Sequence, residues 1–220
     1  MEIIPITSHY IFGVNIYLLK TETGYFLIDT GIAKKRDQLE KELKEAGCQP
    51  GDLKLIIITH GHLDHVGNTA YLRDKYGAKI AMHKGDSSMV ESGDMFVGAR
   101  GGVLIGLVGL LMKILGLSDY EKFTPDILLE DNQDLSTYGL DATIIHIPGH
   151  SKGSIGILTT GGDFFSGDLL VNMGKPAKNT LIDDPAEYDA SVERLRTLEI
   201  KTVYPGHGKP FRMEQFMENN

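Results

Sequence analysis

The chain has 220 residues, of which 41% are hydrophobic and 24% charged, and its formal net charge at pH 7 is −8. This length predicts one domain, and this composition is typical of a globular protein and excludes a disordered chain. The single cysteine, Cys48, excludes an internal disulfide and a cysteine-rich zinc site, so any metal must be held by His, Asp or Glu. The acidic balance disfavours a nucleic-acid partner, and the absence of a signal-peptide pattern at the N-terminus predicts a cytoplasmic location.

Strands and helices alternate along the chain, which predicts an α/β sandwich of sheets covered by helices. Residues 15–29 form the first hairpin, since two apolar, β-branched or aromatic runs flank a Glu-Thr-Gly turn. Leu39 and Leu43 lie on one face of an amphipathic helix, which Gly47 ends. The predicted strands are residues 15–21, 24–29, 53–59, 79–82, 142–147, 154–160, 163–165 and 202–204, and the predicted helices are residues 34–46, 68–76 and 184–198.

Residues 95–117 form a strongly apolar stretch that Arg100 and Lys113 interrupt. Its uncharged core, residues 101–112, is shorter than the roughly 20 residues that a membrane-spanning helix needs, so no transmembrane span is predicted. A buried core helix, a lid over an apolar substrate site, a homodimer patch and a weak membrane-surface contact all remain open. We expect a single domain over residues 1–220 with a lid-like insertion at about 84–126.

The densest group of metal-binding side chains follows the predicted strand 53–59. Residues 59–67 read THGHLDHVG, which places His60, His62, Asp64 and His65 within six residues. Imidazole and carboxylate groups are ligands that suit Zn²⁺. Alternate residues of an extended segment project to the same side, so His60 and His62 can approach one metal. If the chain then turns into a helix, Asp64 and His65 can point at a second metal nearby.

Three further polar residues follow apolar strands in loops that contain glycine. His150 lies in IPGHS, Asp168 in FFSGD and His207 in YPGHG. Glycine lets the backbone turn tightly there, so each loop can bring its side chain to a shared site. With the first cluster they provide five histidines and two aspartates, enough to hold two metal ions.

The motifs resemble those of the metallo-β-lactamase superfamily. HGHLDH matches the H-x-H-x-D-H signature, and the aspartate of LIDTG (Asp29) and the residues His150, Asp168 and His207 occur in the order of that family. The resemblance implies an αββα sandwich with the active site at one sheet edge. It assigns His60, His62 and His150 to the first metal, Asp64, His65 and His207 to the second, and Asp168 to a bridging position.

The resemblance also implies that Asp29 steadies the ligand loops through hydrogen bonds. The alternative for Asp29 is a local turn at the end of its strand. We expect His83 and His146 to lie outside the site, and His9 has no supporting context. Two lysines that follow ligand histidines, Lys152 and Lys209, are expected to be solvated, although either could meet a substrate anion.

A site of this kind predicts a metal-dependent hydrolase that acts on a small molecule. Two divalent cations would acidify a bridging water, and the resulting hydroxide would attack an electrophilic carbonyl or phosphoryl centre. Asp64 would orient the hydroxide or manage its proton, and is the predicted catalytic residue. We expect a dinuclear zinc site, with iron or manganese as alternatives, that cleaves a thioester, lactone or related ester. If residues 95–117 close over the metals, the substrate should carry an apolar group.

Within the superfamily, the aspartate-bridged pattern resembles glyoxalase II, related thioesterases and homoserine lactone lactonases. The remote position of Cys48 disfavours a β-lactamase that uses a cysteine ligand. Two features depart from glyoxalase II: Asn68 replaces the second glycine of DHxGG, and only thirteen residues follow His207. The alternatives are a mononuclear iron persulfide dioxygenase, a phosphodiesterase or nuclease, and a non-catalytic metal-binding module.

Overall fold

Two mixed β-sheets lie face to face at the centre of the protein. The computed structural model describes residues 1–8, 13–95, 97 and 120–219. The first sheet contains, in this order across the sheet, β1 (Glu2–Ser8), β2 (Val14–Lys20), β3 (Tyr25–Ile28), β4 (Leu53–Ile58), β5 (Lys79–His83) and β6 (Ile127–Leu129). The second sheet contains β7 (Ala142–His146), β8 (Ile155–Thr159), β9 (Asp163–Gly167), β12 (Thr202–Pro205) and β13 (Phe211–Arg212), in the spatial order β13-β12-β9-β8-β7. A separate antiparallel ribbon pairs β10 (Leu170–Asn172) with β11 (Pro176–Lys178).

Helices cover the outer face of each sheet. They are α1 (Arg36–Glu45), α2 (Leu63–Val66), α3 (Thr69–Tyr76), α4 (Ser87–Ser92), α5 (Pro185–Leu195) and α6 (Met213–Asn219). Leu39 and Leu43 of α1 are buried against the first sheet, while Tyr188 of α5 and Phe216 of α6 are buried against the second. The layers are therefore helix, sheet, sheet, helix, as the sequence predicts.

The strand β4 shows how a short apolar sequence joins two layers. Its residues are LKLIII, and all but Lys54 are buried. Side chains alternate between the two faces of a strand. Accordingly, Leu55 and Ile57 pack between the two sheets, and Ile56 and Ile58 pack under the helices. A strand buried on both faces is a rigid support for the loop that follows it.

Most predicted elements form within a few residues of their predicted bounds. The predicted start of α5 is confirmed, since the Asp184 side chain accepts hydrogen bonds from the backbone N–H groups of Ala186 and Glu187, and Pro185 opens the helix. The helix ends at Leu195, before the predicted residue 198. The elements absent from the sequence prediction are β1, β6, β10, β11, β13, α4 and α6. Most of these are short, and β1 is an edge strand that contains Pro5.

The expected insertion at residues 84–126 joins the rest of the fold at both ends. Asp86 is fully buried, and Phe123 is buried in the core between α1, α3 and the first sheet. The apolar stretch 95–117 lies outside the described residues, apart from residues 95 and 97. Among the described residues, no helix is both long and apolar enough to cross a membrane.

Candidate metal centre

The seven predicted ligand residues meet at one edge of the two sheets. His60 follows β4, and α2, which begins directly after His62, carries Asp64 and His65. His150, Asp168 and His207 follow the carboxyl ends of three strands of the second sheet, β7, β9 and β12 respectively. The strands fix the positions of the segments that follow them, and those loops and α2 carry all seven side chains.

Three histidines, here called the first triad, form one half of the site: His60, His62 and His150. Nε2 of His150 lies 3.2 Å from Nε2 of His60 and 3.0 Å from Nδ1 of His62. One ring nitrogen of each residue lies within 4.8 Å of those of the other two. Such convergence of imidazole nitrogens is the arrangement that a zinc or iron ion requires.

The second triad consists of Asp64, His65 and His207. Oδ2 of Asp64 lies 3.3 Å from Nε2 of His207 and 3.7 Å from Nε2 of His65. These three atoms also lie within 4.8 Å of one another. The donor set differs from that of the first triad because it contains a carboxylate oxygen.

Asp168 lies between the two triads. Its Oδ1 is 3.4 Å from Nε2 of His65, and its Oδ2 is 3.4 Å from Nε2 of His207 and 3.7 Å from Nε2 of His150. The carboxylate therefore faces both groups of ligand atoms at once.

Two buried atoms of the site have no hydrogen-bond partner among the described residues. They are Nε2 of His65 and Oδ1 of Asp168, and they face each other at 3.4 Å. Leaving a buried polar atom without a partner costs free energy, so such atoms in a protein need an explanation. A metal ion between the ligand atoms would satisfy both, and the residues present therefore fit a metal centre.

Hydrogen bonds at the opposite ring nitrogen orient several of the histidines. Nδ1 of His150 donates to the carbonyl oxygen of Leu181 at 2.6 Å, and Nδ1 of His207 donates to that of Gly13 at 2.8 Å. Nδ1 of His65 lies 2.8 Å from Oδ2 of Asp29. In each case the bond leaves Nε2 free to face the centre of the site, as is usual for metal-binding histidines.

Asp29 makes long-range hydrogen bonds rather than a local turn. Its carboxylate accepts bonds of 2.8 Å from the backbone N–H and the hydroxyl of Thr59, in addition to the bond with His65. The residue has a φ of +60°, which is uncommon outside glycine and costs free energy. In this backbone conformation, the Asp29 carboxylate links Thr59, at the end of β4, to His65.

Burial and neighbouring charges set opposite protonation states in the two triads. Burial, reinforced by neighbouring histidines, lowers the pKa of His60 far below its usual value and that of His62 to about 4. Burial acts the same way on His65 and His207, but nearby carboxylates outweigh it. They raise the pKa of His65 well above its usual value and that of His207 to about 10.

The carboxyl groups of Asp64 and Asp168 are ionised. Burial alone would raise the pKa of each, but His65 and His207 outweigh burial. They lower the pKa of Asp64 to about 2 and that of Asp168 well below its usual value. Without metal, the second triad therefore combines imidazolium and carboxylate groups, and His60 and His62 are neutral.

Sequence reasoning missed two buried polar residues that hold the ligand loops. Asn68 donates from its amide to the carbonyl oxygens of Thr30 (2.7 Å) and Ile32 (3.0 Å), and accepts from Nε of Arg36 (3.3 Å). This asparagine thus ties the segment after Asp29 to the chain after α2. The second missed residue, Asp86, lies three positions beyond β5.

His83, His146 and the two lysines named from the sequence lie outside the cluster. The rings of His83 and His146 stack at 4.0 Å, and Nε2 of His146 lies 3.1 Å from the carbonyl oxygen of Lys152. His9 lies outside the described residues. Lys152 and Lys209 are not among the described residues that line the cavity beside the site.

An open cavity of about 1060 Å³ lies beside the ligand atoms. Five of the seven ligand residues line it, and the ribbon β10–β11 with the following loop forms another wall. That wall contains Val171, Met173, Ala177 and Leu181, of which Met173 and Leu181 are 61% and 69% exposed. A substrate at the metal centre would therefore meet an apolar surface.

Comparison with known proteins identifies the family. The model of the metallo-beta-lactamase superfamily matches residues 9–207. The chain is 29% identical over 230 residues to the hydroxyacylglutathione hydrolase GloC of Haemophilus influenzae. This alignment covers all of this chain and 96% of that protein. It is 26% identical to the beta-lactamase-like protein 2 homolog of Drosophila melanogaster over 89% of this chain, and spans 59% of that relative's length.

Solved structures agree with this family. The di-iron-bound form of the protein TTHA1623 superimposes with a TM-score of 0.76 at 29% identity, covering 99% of this chain and 98% of the other. The B3 metallo-beta-lactamase BLEG-1 superimposes with a TM-score of 0.75 at 23% identity, covering 99% and 96%, and shows the same fold. The described ligand loops, the layered fold and the extent of the match lead to one conclusion: the chain belongs to the metallo-beta-lactamase superfamily.

Proposed function

We propose that this protein is a dinuclear metallohydrolase that cleaves a thioester, a lactone or a related ester of a small molecule. The observation that carries the proposal is the pair of complete ligand triads that meet at Asp168. A site for one metal would need only one triad, so the second triad favours this hydrolase over a mononuclear oxygenase. The hydroxyacylglutathione hydrolase relative from Haemophilus influenzae supports the thioester.

The donor set supports zinc, with iron or manganese as alternatives, because five imidazoles and two carboxylates are ligands that these ions share. In the proposed centre, the first triad would hold one ion and the second triad the other, and Asp168, which faces both triads, would serve both sites. Bound there, the ions would supply Lewis acidity, which makes water more acidic and stabilises negative charge on the substrate.

The protein's own residues have separate tasks in this reaction. Asp64 lines the cavity and is ionised, so it can accept a hydrogen bond from the attacking water and orient it. The hydrogen bonds on Nδ1 of His65, His150 and His207 hold those rings in place, so that little reorganisation is needed during the reaction. The apolar wall at Met173 and Leu181 can bind a hydrophobic part of the substrate and exclude water.

The proposal is tested by quantifying the metal in the purified protein and assaying it with a panel of thioesters, lactones and phosphoesters. We expect two ions per chain and turnover of a thioester or lactone that is lost after chelation and restored by zinc. His207→Ala should lower the metal content and abolish turnover. His146→Ala is the matched control, because His146 lies outside the ligand set, and it should keep both properties. Full activity of the stripped protein, or one ion per chain in wild type, would refute the proposal.

A further inference from the structure

A buried aspartate outside the ligand set joins two of the ligand loops. Asp86 is 0% exposed and follows β5, the strand next to β4 in the first sheet. Its Oδ2 accepts a 2.9 Å hydrogen bond from the backbone N–H of Gly61 and a 2.6 Å bond from the hydroxyl of Ser151. Its Oδ1 accepts a 2.6 Å bond from the backbone N–H of Gly153.

The three donors belong to the two loops that carry the first triad. Gly61 lies between His60 and His62, and Ser151 directly follows His150. One carboxyl group therefore bonds both loops at once. We propose that Asp86 is a positioning residue that fixes the separation of these loops, so that the nitrogens of the first triad converge on one metal ion. The inference rests on the proposed function only in taking a metal ion as the ligand.

The segment that carries Asp86 packs closely against the loop that follows His150. A Cβ atom placed on Gly85 would lie 2.7 Å from Cα of Gly153, and a Cβ on Gly153 would lie 2.5 Å from the backbone nitrogen of Asp86. Real contacts of this kind are essentially never so short, so the two backbones pass each other where only glycine fits. The carboxyl group is thus held against the loop of His150 by both packing and hydrogen bonds.

Asp29 contacts the segment from Thr59 to His65 on the side opposite to Asp86. It follows β3, which is the other neighbour of β4, and its carboxylate bonds Thr59 and His65. Asp29 therefore contacts a ligand of the second triad directly, and reaches His60 only through Thr59, whose hydroxyl lies 3.1 Å from Nδ1 of that ring. The two buried carboxylates divide the support of the site: Asp86 acts on the first triad and Asp29 mainly on the second.

An asparagine cannot replace Asp86, although it has the same shape. Both oxygens of Asp86 accept a hydrogen bond from a backbone N–H group. In either orientation, the NH₂ group of an asparagine would face one of these donors, leaving that N–H without an acceptor. The substitution Asp86→Asn should therefore loosen one of the two loops while keeping the side-chain volume.

The test compares metal binding by wild type, Asp86→Asn and Asp29→Asn. Affinities are measured by competition with a chelator, and the sites are distinguished by cadmium NMR, because three imidazoles and a set of two imidazoles with the carboxylate of Asp64 give different chemical shifts. Removing a residue that orients metal ligands typically weakens binding by about 10- to 100-fold. We expect Asp86→Asn to weaken the site of the first triad by about this factor and to leave the other resonance in place. Asp29→Asn should give the reverse order.

Two further variants address folding. Asp126→Asn removes a carboxyl group that accepts the backbone N–H of Ile80 (2.8 Å) away from the site, and should leave both metal sites unchanged. Ser151→Ala removes only one of the three donors to Asp86, and should weaken the site of the first triad by a smaller factor if Asp86→Asn does not fold.

The inference is wrong if Asp86→Asn binds both ions as wild type does, or if it weakens both sites equally. These results differ from a failure of the proposed function. A wild type that binds two ions but hydrolyses nothing refutes the function and leaves the role of Asp86 intact. If wild type binds one ion, the function also fails, but an ion in the site of the first triad must still bind more weakly in Asp86→Asn than in Asp29→Asn.

Discussion

Filling the metal centre at about pH 7.5 should release about two protons from the ligands of the second triad. A histidine must be neutral to bind a metal, so binding to a protonated histidine displaces its proton. In the metal-free protein the pKa of His207 is raised to about 10 and that of His65 lies well above its usual value, because Asp64 and Asp168 outweigh the opposing effect of burial. Both rings are therefore in the doubly protonated, imidazolium form near neutral pH.

Four other residues of the site, His60, His62, Asp64 and Asp168, should contribute almost no protons. Burial keeps His60 neutral and lowers the pKa of His62 to about 4. The carboxyl groups of Asp64 and Asp168 are already ionised. A water made acidic by the metals can add at most about one proton to the total, since its pKa in such sites falls to about 7.

Two released protons imply a steep dependence of affinity on pH. Each displaced proton makes the metal dissociation constant about tenfold smaller per pH unit. The apparent affinity of the second triad should therefore rise about 100-fold per unit above neutral pH, and less steeply above about pH 10, where His207 loses its proton without metal. The contributions of His60 and His62 to the first triad should not change over this range.

Isothermal titration of zinc into the stripped protein, in buffers of different ionisation enthalpy, measures the number of protons released. NMR titration of the imidazole protons gives the pKa of His207 directly, with His207→Gln to assign its signal. Release of fewer than about one proton, or a His207 that titrates at an ordinary pKa near 6.5, would refute the reasoning.

Three further predictions concern stability and the substrate wall. The melting temperature of the stripped protein should be highest near pH 6.5: the contribution of His207, whose pKa is raised, falls as pH rises towards about 10, and the lowered pKa of His62 destabilises the fold towards about pH 4. A melting temperature independent of pH would contradict this. Asn68→Gly should lower the free energy of unfolding in urea by about 1–3 kcal/mol, since it leaves the buried carbonyl oxygen of Thr30 without a donor and removes one of the two donors to that of Ile32, yet retain two metals. Met173→Ser combined with Leu181→Ser should raise KM for substrates with long apolar groups and leave kcat within about twofold; an unchanged KM would exclude this wall from substrate binding.

The residues that cluster at the candidate metal centre could be predicted from sequence because each lies in a short local motif. His60 to His65 follow a strand whose apolar run is unmistakable, and His150 and His207 each follow a Pro-Gly turn after another strand. Metal chemistry restricts the ligands to a few residue types, so a short motif carries much information. The layered fold was predictable for a related reason, since buried strands and amphipathic helices differ in their hydrophobic period.

The wall of the cavity was harder to predict. The sequence predicts a lid-like insertion at about residues 84–126, and Met95 from that stretch lines the cavity. The ribbon β10–β11 supplies another part of the wall, but its strands have only three residues each. An exposed residue such as Met173 belongs to no periodic hydrophobic pattern in the sequence. Its position beside the cavity is evident only from the folded structure.

The hydrogen bonds of Asp86 to the two loops could not be predicted from the sequence, for a different physical reason. The donors that bond Asp86 lie 25, 65 and 67 positions away along the chain, and two of them are backbone N–H groups. Every residue except proline has such a group, so no residue type in the partner loops marks the contact. A carboxyl group that binds metal needs other ligands of particular chemistry, whereas one that holds loops needs only backbone at the right distance. The residues that cluster at this centre can therefore be recognised from the sequence, whereas the contacts of Asp86 are evident only from the fold.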